Sequence, residues 1–538
     1  MDARLGTHAG RNVVVQFRHL TLVAVAILGF LALRAPDEDS KEAKGGAEAG
    51  ASRVKGARKH TIRVVPDFYM PGKRRNPGDD PLKGFREVGD AFEKLYPDTK
   101  VEFLDAPVGQ REWIVTQLAG EQAPEIININ VENVWQDVQK GWYIPLDKYL
   151  EAPNPFVKGN RQWWDLFRYQ DISRSKAAPD GKMYCITLDM IETGIFYNKD
   201  IFRKLNLAPP KDWAEFMEIQ RKIKEAGYTP MLAGVGSLAD WGVDLFFHQL
   251  YYDIRPTLDV RRDPKRDAFY KGYLDWDELA FLHQKKGFFT ADDLRWREVF
   301  RLLKQWRGFM PDDIGATDNS REFLQGRGAM IWESSLFVPR LQNDLSRKFD
   351  WGVFYLPPMT KETSAYASGT PQCIIGEAAT QFSITNAAIS DTGNPETSEK
   401  LKRCVEFLQF ATTPANCNTV VNEMTALMPN VVDVPTKPAL APFVQNLKEH
   451  PYTTTKWVYT FDLRFSEIMN RMLYLYLVGG ITEDEFMDWM VSNVDSATST
   501  VVRRKNLDLA PLEESWWKLA PTRAGMTDLP KEARNGDR

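Results

Sequence analysis

The chain has 538 residues, 43% of them hydrophobic and 26% charged, with a formal net charge of −4. That length implies roughly two to four domains, and well-mixed charge with no basic surplus excludes the usual nucleic-acid-binding profile. Aromatic residues make up 12%, with 16 Trp, so rings remain beyond those a core needs and are available to line a ligand cleft.

The N-terminus carries Arg4, Arg11 and Arg18 ahead of an apolar run from Leu20 to Leu33. Fourteen residues is the length of a signal-peptide core and short for a membrane span. Residues 1–35 are therefore expected to be a signal peptide or signal anchor, and 36–60, small and charged without apolar period, a disordered tether. The expected location is periplasmic or extracytoplasmic, with residues 20–33 as the segment that would hold an uncleaved form to the inner membrane.

Folded structure is expected from Thr61. Ile62–Val65 reads as a first strand, and Leu82, Phe85, Val88, Phe92 and Leu95 recur three to four apart as one face of a helix ended by Pro97. Lys100–Leu104 alternates as a strand, Arg111–Ala119 is helical, Glu125–Asn130 is a strand, and Val134–Lys140 is a short helix ended by Gly141. Such alternation predicts an α/β sheet with helices on its faces. A second region opens at Tyr184 and runs into Gly194–Asn198. Asp212 with Glu215 three residues on marks a helix start. A long helical stretch follows from Leu238 to Gln305, with strands near 328–332 and 351–356. A third α/β piece begins near Gln381 and includes the helix Ser398–Ala411; residues 453–502 are helical.

Catalytic and metal-binding signatures are missing. The histidines (His8, His19, His60, His248, His283, His450) are scattered without ligand spacing. There is no His-Glu-x-x-His, phosphate loop or Gly-x-Ser-x-Gly elbow, and Gly234-x-Gly236 lacks the rest of a dinucleotide fingerprint. No metal and no cofactor is expected. Cys185, Cys373, Cys404 and Cys417 form no Cys-x-x-Cys pair.

Six segments occur in a telling order: Asp90–Phe103 (DAFEKLYPDTKVEF); Gln117–Asn130 (QLAGEQAPEIININ), followed by a helix and Gly141–Asp147; Thr187–Lys204 (TLDMIETGIFYNKDIFRK); Pro209–Phe216; Phe323–Met330; and Gly352–Pro357. Together they resemble the bacterial extracellular solute-binding proteins of ABC importers, the group that includes maltodextrin-binding proteins. The resemblance runs over roughly Thr61 to Val502. It departs at Thr187, where the family has a small residue or Pro, and at Glu333–Phe337, which replaces the usual Gly-x-Trp.

The resemblance implies an α/β, two-lobed periplasmic-binding-protein fold with discontinuous lobes, hinge crossovers and a cleft between them. Lobe one would take 61–186 plus 374–433, lobe two 187–373 plus 434–505, leaving 506–538 as a C-terminal tail. The function implied is capture of a sugar, oligosaccharide or related small solute for an ABC-type permease, by a monomer without catalysis. An exported carbohydrate-active enzyme and a membrane-anchored sensor or scaffold ectodomain are the alternatives.

Ligand contacts are expected at the carboxyl ends of strands facing the cleft, as acids and amides for hydroxyls and rings for sugar faces. Asp67 and Tyr69 follow the first strand; Asn130, Glu132 and Asn133 follow EIININ, where the resemblance implies contacts too. Asn128 is expected to satisfy backbone instead. Asp189 interrupts an apolar run at a crossover and resembles the family's acidic sugar contact. Trp241 is a stacking candidate, Glu333, Ser334 and Ser335 follow the AMIW strand, and Tyr366 and Gly369 lie in the next loop.

Overall fold

The computed structural model describes residues 58–75, 79–107, 110–168, 178, 180–260, 274, 276–315, 318–369, 378–444, 463–519, 526 and 528–534. The leader, nearly all of the tether and Cys373 lie outside them. Among the described residues no helix is long and apolar enough to cross a membrane. Cys185, Cys404 and Cys417 are buried and form no disulfide with one another.

The strands are β1 (His60–Val65), β2 (Thr99–Phe103), β3 (Ile126–Asn128), β4 (Cys185–Ile186), β5 (Asp189–Met190), β6 (Thr193–Asn198), β7 (Thr229–Leu232), β8 (Gly328–Ser334), β9 (Trp351–Phe354), β10 (Phe382–Ile384) and β11 (Met428–Pro429). They form a five-stranded sheet ordered β2-β1-β3-β10-β4, a four-stranded sheet ordered β7-β8-β6-β9, and a two-stranded pair of β11 with β5.

The first sheet is buried on both faces. Alternation along β1 turns Ile62 and Val64 to one side, where they meet Phe85, Val88 and Phe92 of helix α1 (Gly84–Leu95) and Phe407 and Leu408 of the helix Glu399–Ala411. Val65, Ile127 and Cys185 face the other way, onto Ile114 and Leu118 of α2 (Gln110–Ala119) and Val134 of α3 (Val131–Asp137). β1, β2 and β3 are parallel, whereas β10 runs antiparallel to both β3 and β4. The chain therefore leaves this sheet after β4 and comes back to it at β10.

The second sheet takes up the intervening chain. Ile195, Met330, Trp332 and Phe354 face a large aromatic layer built by Trp213, Phe216, Phe246 and Trp306. The layer is held by edge-on ring contacts, such as Trp213 with Trp306 at 5.6 Å. Phe196 and Ile331 face a smaller cluster with Phe337, Leu341 and Phe443. Asp212 caps the helix Trp213–Glu225 by accepting from Glu215 N at 2.9 Å, and Glu215 accepts in turn from Lys211 N. The expected long helical stretch is divided into Val243–Tyr251, Trp276–Lys286 and Leu294–Arg307. Left-handed Gly287 and Phe289 separate the last two, which lets both helices turn an apolar face to one core.

The segment expected as a C-terminal tail contains packed structure among its described residues. Ala510–Lys518 is a helix whose Trp516 is completely buried, and Leu529 and Ala533 join the same core. Lys286 bridges Glu513 at 2.6 Å, and Arg295 pairs with Asp528. Two isolated tryptophans in a polar segment show no period, but one of them fits a cavity left by helices far away in sequence.

Glu125 ties the first sheet to its helical layer. It has no exposed side-chain surface and accepts from Arg63 N, Nε and Nη2 and from Lys400 Nζ. Burial alone pushes its carboxyl up, but the hydrogen bonds from Arg63 and Lys400 hold it below the ordinary carboxylate range. A depressed folded pKa contributes stability that is present above the unfolded value and is lost as pH falls through the folded one. Glu125→Gln is expected to cost about 3 kcal/mol at pH 7, with the gap to wild type closing below about pH 4; urea unfolding across pH measures both. Trp516→Ala is expected to cost about 3–5 kcal/mol by the cavity it leaves, read in the same urea titration at neutral pH.

Candidate functional site

At the carboxyl end of β1 the backbone turns sharply. Asp67 sits in the left-handed region at φ +45° and opens a single 3-10 turn, Asp67–Tyr69. Its carboxylate accepts from Asn128 Nδ2 at 3.1 Å, while Asn128 Oδ1 accepts from Gln381 N at 2.6 Å. Asn128 thus satisfies backbone, as its place in a buried strand requires, and it also ties the ends of β1 and β3 together. Gln381 Oε1 accepts from Val131 N at the start of α3, so Asn130, the N-cap residue, makes no side-chain cap bond and is exposed.

A cavity of about 800 Å³ opens beside this turn, within the usual range for small-molecule sites. One wall is Phe68, Arg75 and the segment 79–83; the second is Leu336, Pro339, Gln342 and Asn343; the third is Glu423–Ala426. The first and third walls belong with the β1 sheet, and the second follows β8 of the other sheet. The cavity therefore lies between the two sheets. The Arg75 guanidinium lies 4.4 Å over the Phe68 ring, and its Nε–H donates to Phe68 O at 2.8 Å. Burial lowers the Arg75 pKa, opposed by the nearby charge of Asp67. Glu423 accepts from Lys83 N and Gly84 N at 2.8 and 2.9 Å, placing a carboxylate on the positive end of α1. Helix Pro414–Val421 approaches so closely that a Cβ on Gly84 would stand 2.5 Å from Thr419 O.

Beneath the cavity Asp189 is fully buried. Its Oδ2 accepts from Tyr69 Oη at 2.7 Å and Thr380 Oγ1 at 2.5 Å, and its Oδ1 from Ala379 N and Thr380 N. Burial pushes this carboxyl up while those donors pull it down. Asp189, expected as a ligand contact, exposes no surface, and both its oxygens are occupied from within the chain. Tyr69 is 1% exposed, with its hydroxyl donating to Asp189. Ser335 is buried and donates through Oγ to Ala426 O at 2.7 Å. Ser334 is buried on β8, and Glu333 is half-buried, its carboxyl pushed up by burial.

The strand-end loops after β1 and β8 do line the cavity, but through the neighbours of the expected residues: Phe68 between Asp67 and Tyr69, and Leu336 directly after Ser335. The structure places Asp67 and Tyr69 in one turn and joins Tyr69 to Asp189 through its hydroxyl, while Asp67 takes a hydrogen bond from Asn128. Asn130 stands at the adjacent strand end with Asn133 half-buried behind it; the Glu132 side chain lies outside the described residues. Trp241 and Tyr366 belong to the aromatic layer of the second sheet. Trp241 stands edge-on to Trp332 at 5.7 Å, and Tyr366 lies under Arg295 at 4.9 Å. Gly369 is exposed at φ +75°. None of these three lines the cavity. Sequence reasoning missed Arg75, Gln342, Asn343 and Glu423, which lie in loops or helices away from strand ends. Among the described residues no group of His, Cys, Asp and Glu has metal-binding geometry.

The sequence profile of the family described as bacterial extracellular solute-binding protein matches residues 78–416, well over half of the chain. Among solved structures, the apo form of RafE from Streptococcus pneumoniae superposes with a TM-score of 0.57 at 16% identity, covering 84% of this chain and 100% of that one. A chitin oligosaccharide binding protein gives 0.57 at 17%, covering 82% and 99%. At such identity the likeness shows the fold, that of two-lobed binding proteins. The arabinooligosaccharide-binding protein of Bacillus subtilis (strain 168) is 24% identical over 151 residues, 27% of this chain and 33% of the relative. Sequence matches to the curated relatives span about a third of their length.

The contact between Glu423 and the start of α1 yields a direct expectation. Glu423→Ala should destabilise the protein by about 1 kcal/mol, the usual worth of a cap on a helix N-terminus, and a urea midpoint measures it.

Proposed function

Because this chain belongs to the family of bacterial extracellular solute-binding proteins, we propose that it captures a carbohydrate or related polyhydroxylated solute between its two lobes and delivers it to an ABC-type importer outside the cytoplasm. The observation that carries this reading is the cavity of about 800 Å³ whose walls come from segments packed with each of the two sheets. A ligand that touches both walls favours the closed arrangement by the contacts it gains there. A permease then reads the closed state.

The lining suits hydroxyl-rich ligands. Phe68 offers an aromatic face, and the amides of Gln342 and Asn343 both donate and accept. Asp79 and Asp80 supply paired acceptors for vicinal hydroxyls. Relatives with solved or curated ligands point the same way, since their names specify chitin and arabinose oligosaccharides.

Thermal unfolding against a panel of neutral oligosaccharides, monosaccharides, polyols and phosphorylated polyols tests the reading. A ligand that binds only the folded state at a hundredfold excess over its Kd stabilises by about 2.7 kcal/mol. One sugar class should raise the melting temperature without being consumed, and Phe68→Ala should weaken its binding by about tenfold, a loss of about 1.4 kcal/mol. A panel without any shift, or a carbohydrate that is turned over, would sink the assignment.

A further inference from the structure

The crossover between the sheets carries two buried acids three residues apart, Asp189 and Glu192, and neither has exposed surface. Asp189 faces the first sheet: it holds Tyr69, which adjoins the cavity residue Phe68, and the strand leading into β10 through Ala379 and Thr380. Glu192 faces the second. Its carboxylate takes a hydrogen bond from the Tyr355 hydroxyl, which follows β9, and Tyr355 also reaches Phe443 O at 3.2 Å. The Glu192 carbonyl accepts from Ser335 N at 2.7 Å, beside the cavity residue Leu336. Ser335 then donates to Ala426, in the third wall. Between the acids lie Met190, paired with Met428 on the returning crossover β11, and Ile191, which packs on the core of the first sheet.

We propose that Asp189 and Glu192 are positioning residues, each fastening one end of this crossover to one lobe, so that bending along this crossover falls on Met190–Ile191 between them. The proposal rests on the two-lobed closure above, but its test needs no ligand. Each acid sits in a buried site where a lost partner is costly, and burial raises the Glu192 carboxyl well above its ordinary range. One Glu192 oxygen has no hydrogen-bond partner among the described residues, so the Tyr355 hydroxyl carries that side chain's anchorage alone. Tyr69→Phe and Tyr355→Phe each remove a single hydroxyl from one clamp and keep the ring packing.

Nitroxide labels placed by Lys100→Cys and Lys222→Cys, both exposed positions, report the distance between lobes in the full chain; Lys100→Cys with Lys402→Cys reports within the first lobe. Double electron–electron resonance without ligand is expected to show the interlobe distribution roughly doubled in width in either Phe variant, with the within-lobe distribution unchanged. Interlobe distributions identical to wild type in both variants would overturn the proposal. Equal broadening of both label pairs would overturn it too, because that is what general loosening of the fold produces. Absence of a ligand in the panel above leaves this result untouched, so the two readings fail separately.

Discussion

The architecture depends on the burial of a carboxyl group at the point where the chain changes sheets. A carboxylate removed from water is tolerated only when donors replace its hydration, and Asp189 finds four, from Tyr69, Ala379 and two groups of Thr380. These donors come from two distant stretches of the first sheet. The crossover is thereby pinned to a turn at one strand end and to the strand that returns from the second sheet. The left-handed Asp67, the link from Asn128 and the placement of Phe68 over Arg75 all follow from where that turn is held.

Much of the fold was legible in the sequence, for a simple reason. β1, β2 and α1 are regular, their burial follows periods of two and 3.6, and their partners are near in sequence. The order of the six family-like segments extended that reading to the second sheet, where aromatic crowding obscures the periods. The Asp212 cap was visible because capping is local: donor and acceptor lie three residues apart. The division of the long helical stretch was not visible, since it turns on two left-handed residues within an apolar background.

The site was legible by loop but not by side chain. A polar acid interrupting an apolar run looks the same whether it meets a ligand or braces a hinge. The difference lies in partners 120 and 190 residues away. The same holds at β8, where Ser335 turns inward to a backbone carbonyl and Leu336 turns out to the cavity. Glu423 escaped attention because its role is to neutralise a helix end that begins 339 residues earlier. Strand-end rules find the rim of a site, and tertiary contacts decide which rim residue faces inward.

The docked helix Ala510–Lys518 has a consequence for how the chain comes into being. The first sheet cannot close before β10, and the aromatic core of the second cannot close before Trp516 takes its place. A chain emerging from its N-terminus thus carries the first core open until β10 is present and the second open until Trp516 is, with Phe, Trp and Met side chains in water meanwhile. Contacts of such long sequence separation form slowly, and incomplete chains with exposed apolar surface associate. Closure of the second core therefore waits on the arrival of Trp516, and until then its apolar side chains are open to association.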